Sequence, residues 1–250
     1  MSGHSKWSTI KHKKAATDAK RGKIFTRYIR ELTIAARGGA DPDGNPRLRS
    51  AIAAAKSVNM PKDNIDRAVA KGSGTGGGAE LEEIRYEGYG QGGVAILVDC
   101  VTDNRNRTVS DVRSAFNKGG GNMGESGCVA WMFHQKGQIM FDRNEVNEDA
   151  IMEPALEGGA EDISDKKDEG CIEVITDPAE FVNVKEALEN AGFTPQIAEL
   201  SWIPENVIEI EGEPAEKLLR LIERLEEVDD VQDVYANYEI DDAEMERING

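Results

Sequence analysis

The chain has little of what most catalytic and metal sites need. It carries three cysteines and three histidines in 250 residues. Cys100, Cys128 and Cys171 are scattered, odd in number and each set in an apolar, strand-like context. That excludes a disulfide framework and predicts buried, reduced thiols in a cytoplasmic protein. His4, His12 and His134 share no metal-ligand spacing with them, so no zinc site is expected. No apolar run approaches the roughly 20 residues that span a bilayer, which argues against a membrane partner. The start lacks the apolar stretch of a secretory leader and the amphipathic Leu/Arg pattern of a mitochondrial presequence. No Ser/His/Asp or Cys/His constellation stands out, and G-x-x-x-x-G-K-[ST] does not occur. Two stretches match G-x-G-x-x-G: Gly72, Gly74 and Gly77, and Gly88, Gly90 and Gly93. A dinucleotide site needs a strand before such glycines and a helix after them. The first set follows a helix and the second precedes a strand, so both are expected to be turns. Neither an enzyme nor a bound cofactor or metal is expected.

What is present is charge, and it is unevenly spread. The whole chain is acidic, at a formal net charge of -17. Residues 1–80 hold 16 Lys/Arg against 7 Asp/Glu, a net of +9, and residues 81–250 hold 14 against 40, a net of -26. A basic module can meet polyanions, while an acidic body limits nonspecific sticking to them and suits a basic protein partner.

Periodicity predicts helices first. Ile24, Phe25, Tyr28, Ile29, Leu32 and Ala36 fall on one side of a helix that Gly38 and Gly39 end. Asn45 and Pro46 read as N-cap and first position of a second helix carrying Leu48, Ile52 and Ala55. A third begins at Pro61 and carries Ile65, Ala68 and Val69. "GSGTGGG" (72–78) reads as a flexible linker. Beyond it lie four β-α-β units, near 94–134, 137–164, 171–203 and 206–239. The first includes strands "GVAILVDCVT" and "GCVAWMF", with Thr108 as the cap of the helix between them. Two such units make a split βαββαβ fold. Sequential and nested pairings are both open. Nesting is favoured, because "FHQKGQ" and "IPEN" would serve as two short side-by-side crossings of an inserted domain.

The expected class is therefore multi-domain α and α+β: an N-terminal helical bundle plus two ferredoxin-like domains, one inserted in the other. The limits are 1–72 for the basic helical domain, 73–79 for the linker, 80–134 with 205–240 for one α+β domain, 135–204 for the inserted one, and 241–250 for an acidic tail.

The basic start is the sharpest functional signal. Lys6, Lys11, Lys13, Lys14, Lys20, Arg21, Lys23, Arg27 and Arg30 lie within 25 residues. Trp7 and His12 are interleaved and can stack on bases. Lys23, Arg27 and Arg30 share a helix face, so the expected contact is with nucleic-acid phosphate. The helix–turn–helix pattern ending in Lys62, Asp63, Asn64, Asp66 and Arg67 favours a plain hairpin, since two aspartates on a groove helix repel phosphate. Arg105 and Arg107, in "TDNRNRT", are a secondary polar site. They could bind phosphate, but pairing with acids such as Glu83 or Glu87 is favoured. "NKGGGNMGESG" (117–127) reads as a mobile connection or a close-approach surface for a partner.

The segments "MSGHSKWSTIKHKKAATDAKRGKIFTRYIREL", "NMPKDNIDRAVAKGSG", "YEGYGQGGVAILVDCVTDNRNRTVSDVR", "GGGNMGESGCVAWMF" and "DVQDVYANYEI" closely resemble the YebC/PmpR family over the whole chain. Met123 stands where that family often has Leu, and Cys128 where it often has Ser. The resemblance implies a helical domain plus two α/β domains around a central cleft. It implies a cytoplasmic, DNA-binding transcriptional regulator. It also implies an alternative, since the family resembles the mitochondrial translational activator of cytochrome c oxidase: a ribosome-associated translation factor that binds ribosomal RNA and relieves stalls at proline-rich stretches.

Overall fold

A computed structural model describes residues 21–77, 80–167 and 169–249. Three helices make the N-terminal bundle. Helix α1 (Arg21–Ala35) runs into a single 3-10 turn, Ala36–Gly38, and stops at Gly39. Helix α2 (Pro46–Ser57) starts as its sequence dictates. Pro46 takes the first helical position, and Asn45 Oδ1 accepts the Leu48 N–H at 3.1 Å. The same Asn45 also donates to the carbonyls of Ala35 (2.7 Å) and Gly39 (2.8 Å), so one side chain closes α1 and opens α2. Helix α3 (Lys62–Gly72) completes the bundle. Leu32, Leu48, Ala51, Ala55, Met60, Ile65 and Ala68 are buried between the three.

The glycine run after α3 begins as packed structure. A Cβ on Gly72 would sit 2.1 Å from the Thr33 carbonyl oxygen, so α3 meets α1 backbone to backbone there. The amides of Thr75 and Gly76 both bond to the Ala70 carbonyl, at 3.0 and 2.9 Å. The stretch expected to be a flexible tether is thus hydrogen-bonded through Gly76, because it caps α3.

The first sheet has the order β3-β1-β2-β9. Strands β1 (Glu82–Tyr89) and β2 (Ala95–Thr102) form an antiparallel hairpin with eight paired positions. Helix α4 (Arg105–Lys118) follows, then β3 (Asn122–Met123), and much later β9 (Val231–Ala236) pairs with β2. Gly88 lies in β1 under the Phe116 ring, where a Cβ would approach to 2.7 Å, so close packing and not phosphate accounts for this glycine. Strand β1 was not expected, and it alters the topology. It takes the place beside β2 that a fourth β-α-β unit would have filled. The 206–212 strand accordingly shrinks to β8 (Ile208–Glu209), which pairs in parallel with β10 (Tyr238–Glu239) outside the sheet. Helix α4 and helix α7 (Gly212–Glu226) cover one face, burying Ile96, Val98, Val112, Phe116, Leu218, Leu221 and Leu225.

The second sheet lies wholly between β3 and β8 in sequence. Its elements are β4 (Phe133–Asp142), α5 (Glu148–Gly158), β5 (Ala160–Lys166), β6 (Cys171–Thr176), α6 (Phe181–Asn190) and β7 (Ile197–Pro204). The order β5-β6-β4-β7 is that of a split βαββαβ sheet, with Ile139, Phe141, Ile172 and Val174 packed under the two helices. One α+β unit is thus inserted in another.

Four local expectations are corrected. "GCVAWMF" is not a strand: residues 124–132 form a loop with a 3-10 turn at Ala130–Met132, and the strand begins at Phe133. Cys128 therefore lies in that loop and is only half-buried, while Cys100 and Cys171 are buried in strands. "FHQKGQ" is no crossing, because it pairs with β7 from Phe133↔Pro204 onward inside β4. The α4 cap is Asn104, whose Oδ1 accepts the Arg107 N–H at 3.1 Å; Thr108 lies inside the first turn. The 241–250 stretch is not an acidic tail. Residues Asp242–Asn249 form helix α8, which buries Met245 in the first α+β core, while Glu244 accepts the Gly212 N–H at 2.6 Å. Its apolar residues, spaced for one helix face, outweigh its acids.

Candidate nucleic-acid interface

Arg27 and Arg30 of α1 have partners within the chain. Arg27 and Arg30 lie three residues apart and face the start of β9, where Arg27 pairs with Asp233. Arg30 donates to the Asp229 carbonyl and, at 2.8 Å, to Asp230. Arg37 donates to the Leu81 carbonyl, and Arg47 bridges Glu31 (2.8 Å) and Glu83 (2.7 Å). Ile34, Leu81 and Val101 form a small apolar contact among these pairs. The helical bundle is therefore docked on the body mainly through guanidinium groups. Lys23 is half-buried on the same helix. Lys6, Trp7, Lys11, His12, Lys13, Lys14 and Lys20 lie outside the described residues.

Asp230 is the centre of the junction, with a side chain only 2% exposed. It accepts from Arg30 at 2.8 Å, Arg107 at 2.9 Å, Thr108 Oγ1 at 2.7 Å and Thr102 Oγ1 at 3.2 Å. Burial works to raise its pKa. The Thr108 hydroxyl and the guanidinium groups of Arg107 and Arg30 outweigh that, and the carboxyl is held below the usual range. Arg105 stands 4.0 Å from Glu82, and Arg107 also meets Asp103 at 2.9 Å. The two arginines of "TDNRNRT" are thus paired internally, with Glu82, Asp103 and Asp230 in place of Glu83 and Glu87. Nε and Nη2 of Arg107 are committed to Asp230, Asp103 and Thr102, while Arg105 stays two-thirds exposed.

Glu87 has a different task. Only 4% exposed, it accepts N–H groups from Gly127 (2.6 Å), Val129 (2.8 Å) and Ala130 (2.7 Å). Those bonds prevail over burial and lower its pKa. They fix the glycine-rich loop, which is held rather than mobile over this stretch. The loop presents Trp131 at 65% exposure with its indole N–H donated to the Cys128 carbonyl at 3.2 Å. Nearby, Arg85 binds Asp99 through two bonds (2.6 and 2.8 Å) and stacks 4.0 Å over the Trp202 ring, tying the first sheet to the second.

The bundle still leaves cations on its outer side: Arg49 and Lys56 on α2, and Lys62 and Arg67 on α3, are exposed. Arg67 is drawn back onto its own helix by Asp63 O (3.0 Å) and Asn64 Oδ1 (2.5 Å). With Asp63 and Asp66 also exposed, α3 has the surface of a plain hairpin helix. Among the described residues no group of three His, Cys, Asp or Glu could hold a metal, and no helix is long and apolar enough to cross a membrane.

Residues 5–75 match the family described as "TACO1/YebC protein N-terminal domain", and residues 81–238 match "TACO1/YebC second and third domain". The chain belongs to the TACO1/YebC family. A "Probable transcriptional regulatory protein" of Geotalea uraniireducens is 58% identical to this YebC-family chain over 249 residues, covering 99% of it and 100% of the relative. A protein of the same description from Geobacter sulfurreducens is 57% identical with the same coverage. A crystal structure of a conserved hypothetical protein from Aquifex aeolicus superposes with a TM-score of 0.81 at 48% identity, covering 90% of this chain and 93% of that one. The Geotalea and Geobacter relatives from the YebC family carry regulatory names.

Proposed function

We propose that this protein is a cytoplasmic, DNA-binding transcriptional regulator. In this reading, residues 1–72 form the nucleic-acid module. Residues 80–132 with 205–249, and the inserted 133–204, form an acidic body that limits nonspecific binding and offers a surface to basic protein partners. The observation that carries it is the division of labour within the basic bundle. Arg27, Arg30, Arg37 and Arg47 are spent on docking. Arg49, Lys56 and Lys62 face solvent with no ion pair among the described residues, on the module that also bears the arm lysines. The regulatory names of the relatives support the same reading. Phosphate contact is expected from Lys11, Lys13, Lys14 and their neighbours, with Trp7 and His12 stacking on bases.

Titration against duplex DNA at two salt concentrations tests it. Each lost phosphate contact flattens the log–log salt slope by about 0.9 on duplex DNA. Replacing Lys11, Lys13 and Lys14 by Ala should therefore flatten it by roughly 2.7. An unchanged slope would remove the arm from the interface. Co-sedimentation with ribosomes, together with weak and sequence-blind DNA binding, would overturn the DNA target in favour of ribosomal RNA.

A further inference from the structure

Helix α4 is anomalous for the body that holds it. Residues 81–250 carry a net charge of -26, yet Arg105–Lys118 has four Lys/Arg and one acid, Asp111. The buried side of the helix is set by Thr108, Val112, Ala115 and Phe116. The opposite side carries Asn106, Ser110, Arg113 and Asn117, at i, i+4, i+7 and i+11, which is one straight stripe on a helix. Ser114 and Lys118 flank it, and the six border a shallow depression of about 550 Å³. Asp111 lies off the stripe of four, on the neighbouring row that Ser114 and Lys118 continue at i+3 and i+7.

The six side chains have nothing to do inside the fold. Among the described residues the ion pairs of α4 are those of Arg105 with Glu82 and of Arg107 with Asp103 and Asp230. Among the described residues, none of the six makes a side-chain hydrogen bond or ion pair. Ser on a helix ordinarily bonds back to its own backbone, as Ser57 does here to the Ala54 carbonyl at 2.8 Å. Ser110 and Ser114 do not. Two Asn, two Ser, one Arg and one Lys, all exposed but the half-buried Ser114, form a side-chain set that reads base edges and grips phosphate.

Resting on the nucleic-acid reading above, we propose that the outer face of α4 is a second DNA-contacting surface, one that enters the major groove of a duplex. The groove is about 12 Å wide and admits one α-helix. At 1.5 Å per residue α4 is about 21 Å long, enough to cross it. Arg113 is placed to pair with guanine, Asn106 and Asn117 with adenine, and Lys118 to neutralise a flanking phosphate. Sequence readout is therefore assigned to α4, while the arm supplies affinity. α3 is unsuited to the first task because of Asp63 and Asp66.

The test uses the full chain and three probes: a mixed-sequence DNA duplex, a single DNA strand, and an RNA strand of the same sequence. Affinity is measured at about 50 and about 200 mM salt. Arg113→Ala with Lys118→Ala should weaken duplex binding at least tenfold and flatten the slope by about 0.9, the share of the Lys118 phosphate contact. Arg224→Ala with Lys167→Ala, which removes two exposed cations elsewhere, changes net charge equally and should leave both unchanged. Asn106→Ala with Asn117→Ala should leave the slope alone but reduce the preference for the best duplex selected from a random pool. If the Arg113/Lys118 variant binds duplex like the parent while the arm variant is weakened, the α4 surface is refuted and the regulator reading stands. If that variant loses only RNA binding, or loses no more than the Arg224/Lys167 control, the duplex-groove assignment is refuted. If the parent binds none of the probes, both readings fall together.

Discussion

Asp230→Asn removes one charge from the junction while keeping the shape of the side chain. The carboxylate is 2% exposed and accepts four side-chain partners between 2.7 and 3.2 Å. Removing one member of a buried ion pair costs about 3–5 kcal/mol, because its partner is left unpaired. Arg30, 17% exposed, is such a partner. Arg107 is 45% exposed, and water takes over its donors when the carboxylate is lost. The lower end of the range applies, about 3 kcal/mol, which corresponds to a fall in midpoint of about 6–12 °C for a protein of this size. Calorimetry on the variant, on Arg30→Ala and on the double variant reads it out. The double should be less than additive by about 1–2 kcal/mol, since the residues share one contact. The pH dependence follows from the lowered carboxyl pKa of Asp230. A depressed folded value means that the stabilisation is complete above the unfolded value near 3.9 and fades as pH falls through the folded one. The gap between parent and Asp230→Asn should hold at neutral pH and narrow only below about pH 4. A variant within about 0.5 kcal/mol of the parent at pH 7, or full additivity with Arg30→Ala, would refute Asp230 as the junction's anchor.

Other outcomes follow from the same geometry. Arg27→Ala should loosen the bundle from the body, seen as faster proteolysis between α3 and β1 at low salt; equal rates would show that the Asp233 pair does not hold the bundle. Glu87→Gln removes the charge that holds three amides and should cost about 3 kcal/mol. Trp131 emission should then become more accessible to a neutral quencher, and unchanged accessibility would count against Glu87 as the loop's organiser. Met245→Ala should destabilise the first α+β unit by about 2–4 kcal/mol, because the side chain is buried in its core. A change below about 0.5 kcal/mol would make α8 the dispensable tail its composition suggested.

Much of the bundle was legible because its signals are local. The cap Asn45, the first-turn Pro46, and the spacing within each helix, such as Leu48, Ile52 and Ala55, act over a few residues. The count of β-α-β units left the insertion open, and of the two short crossings that favoured it "FHQKGQ" lies inside β4. Strand β1 was not legible, because Glu82, Glu83, Arg85 and Glu87 mask the alternation of Ile84, Tyr86 and Gly88. Its polar side chains are consumed by partners far along the chain, Glu87 by the loop amides and Arg85 by Asp99 and Trp202. The Thr108 cap misread had the same origin, since its hydroxyl serves a carboxylate 122 residues away.

By itself the sequence determined the charge division, the Asn45 cap and the apolar stripes, since each depends on residue type and short spacing. Which anions meet the cations was decided only in three dimensions. A face carrying Arg27 and Arg30 suits a phosphate or a carboxylate equally well, for a guanidinium binds both. The fold brings Asp233 and Asp230 there from positions 206 and 200 residues away. Among the described residues the same folding leaves the stripe of α4 without a partner. Short-range patterns specify elements and surfaces; long-range packing chooses which surfaces are used up and which remain open.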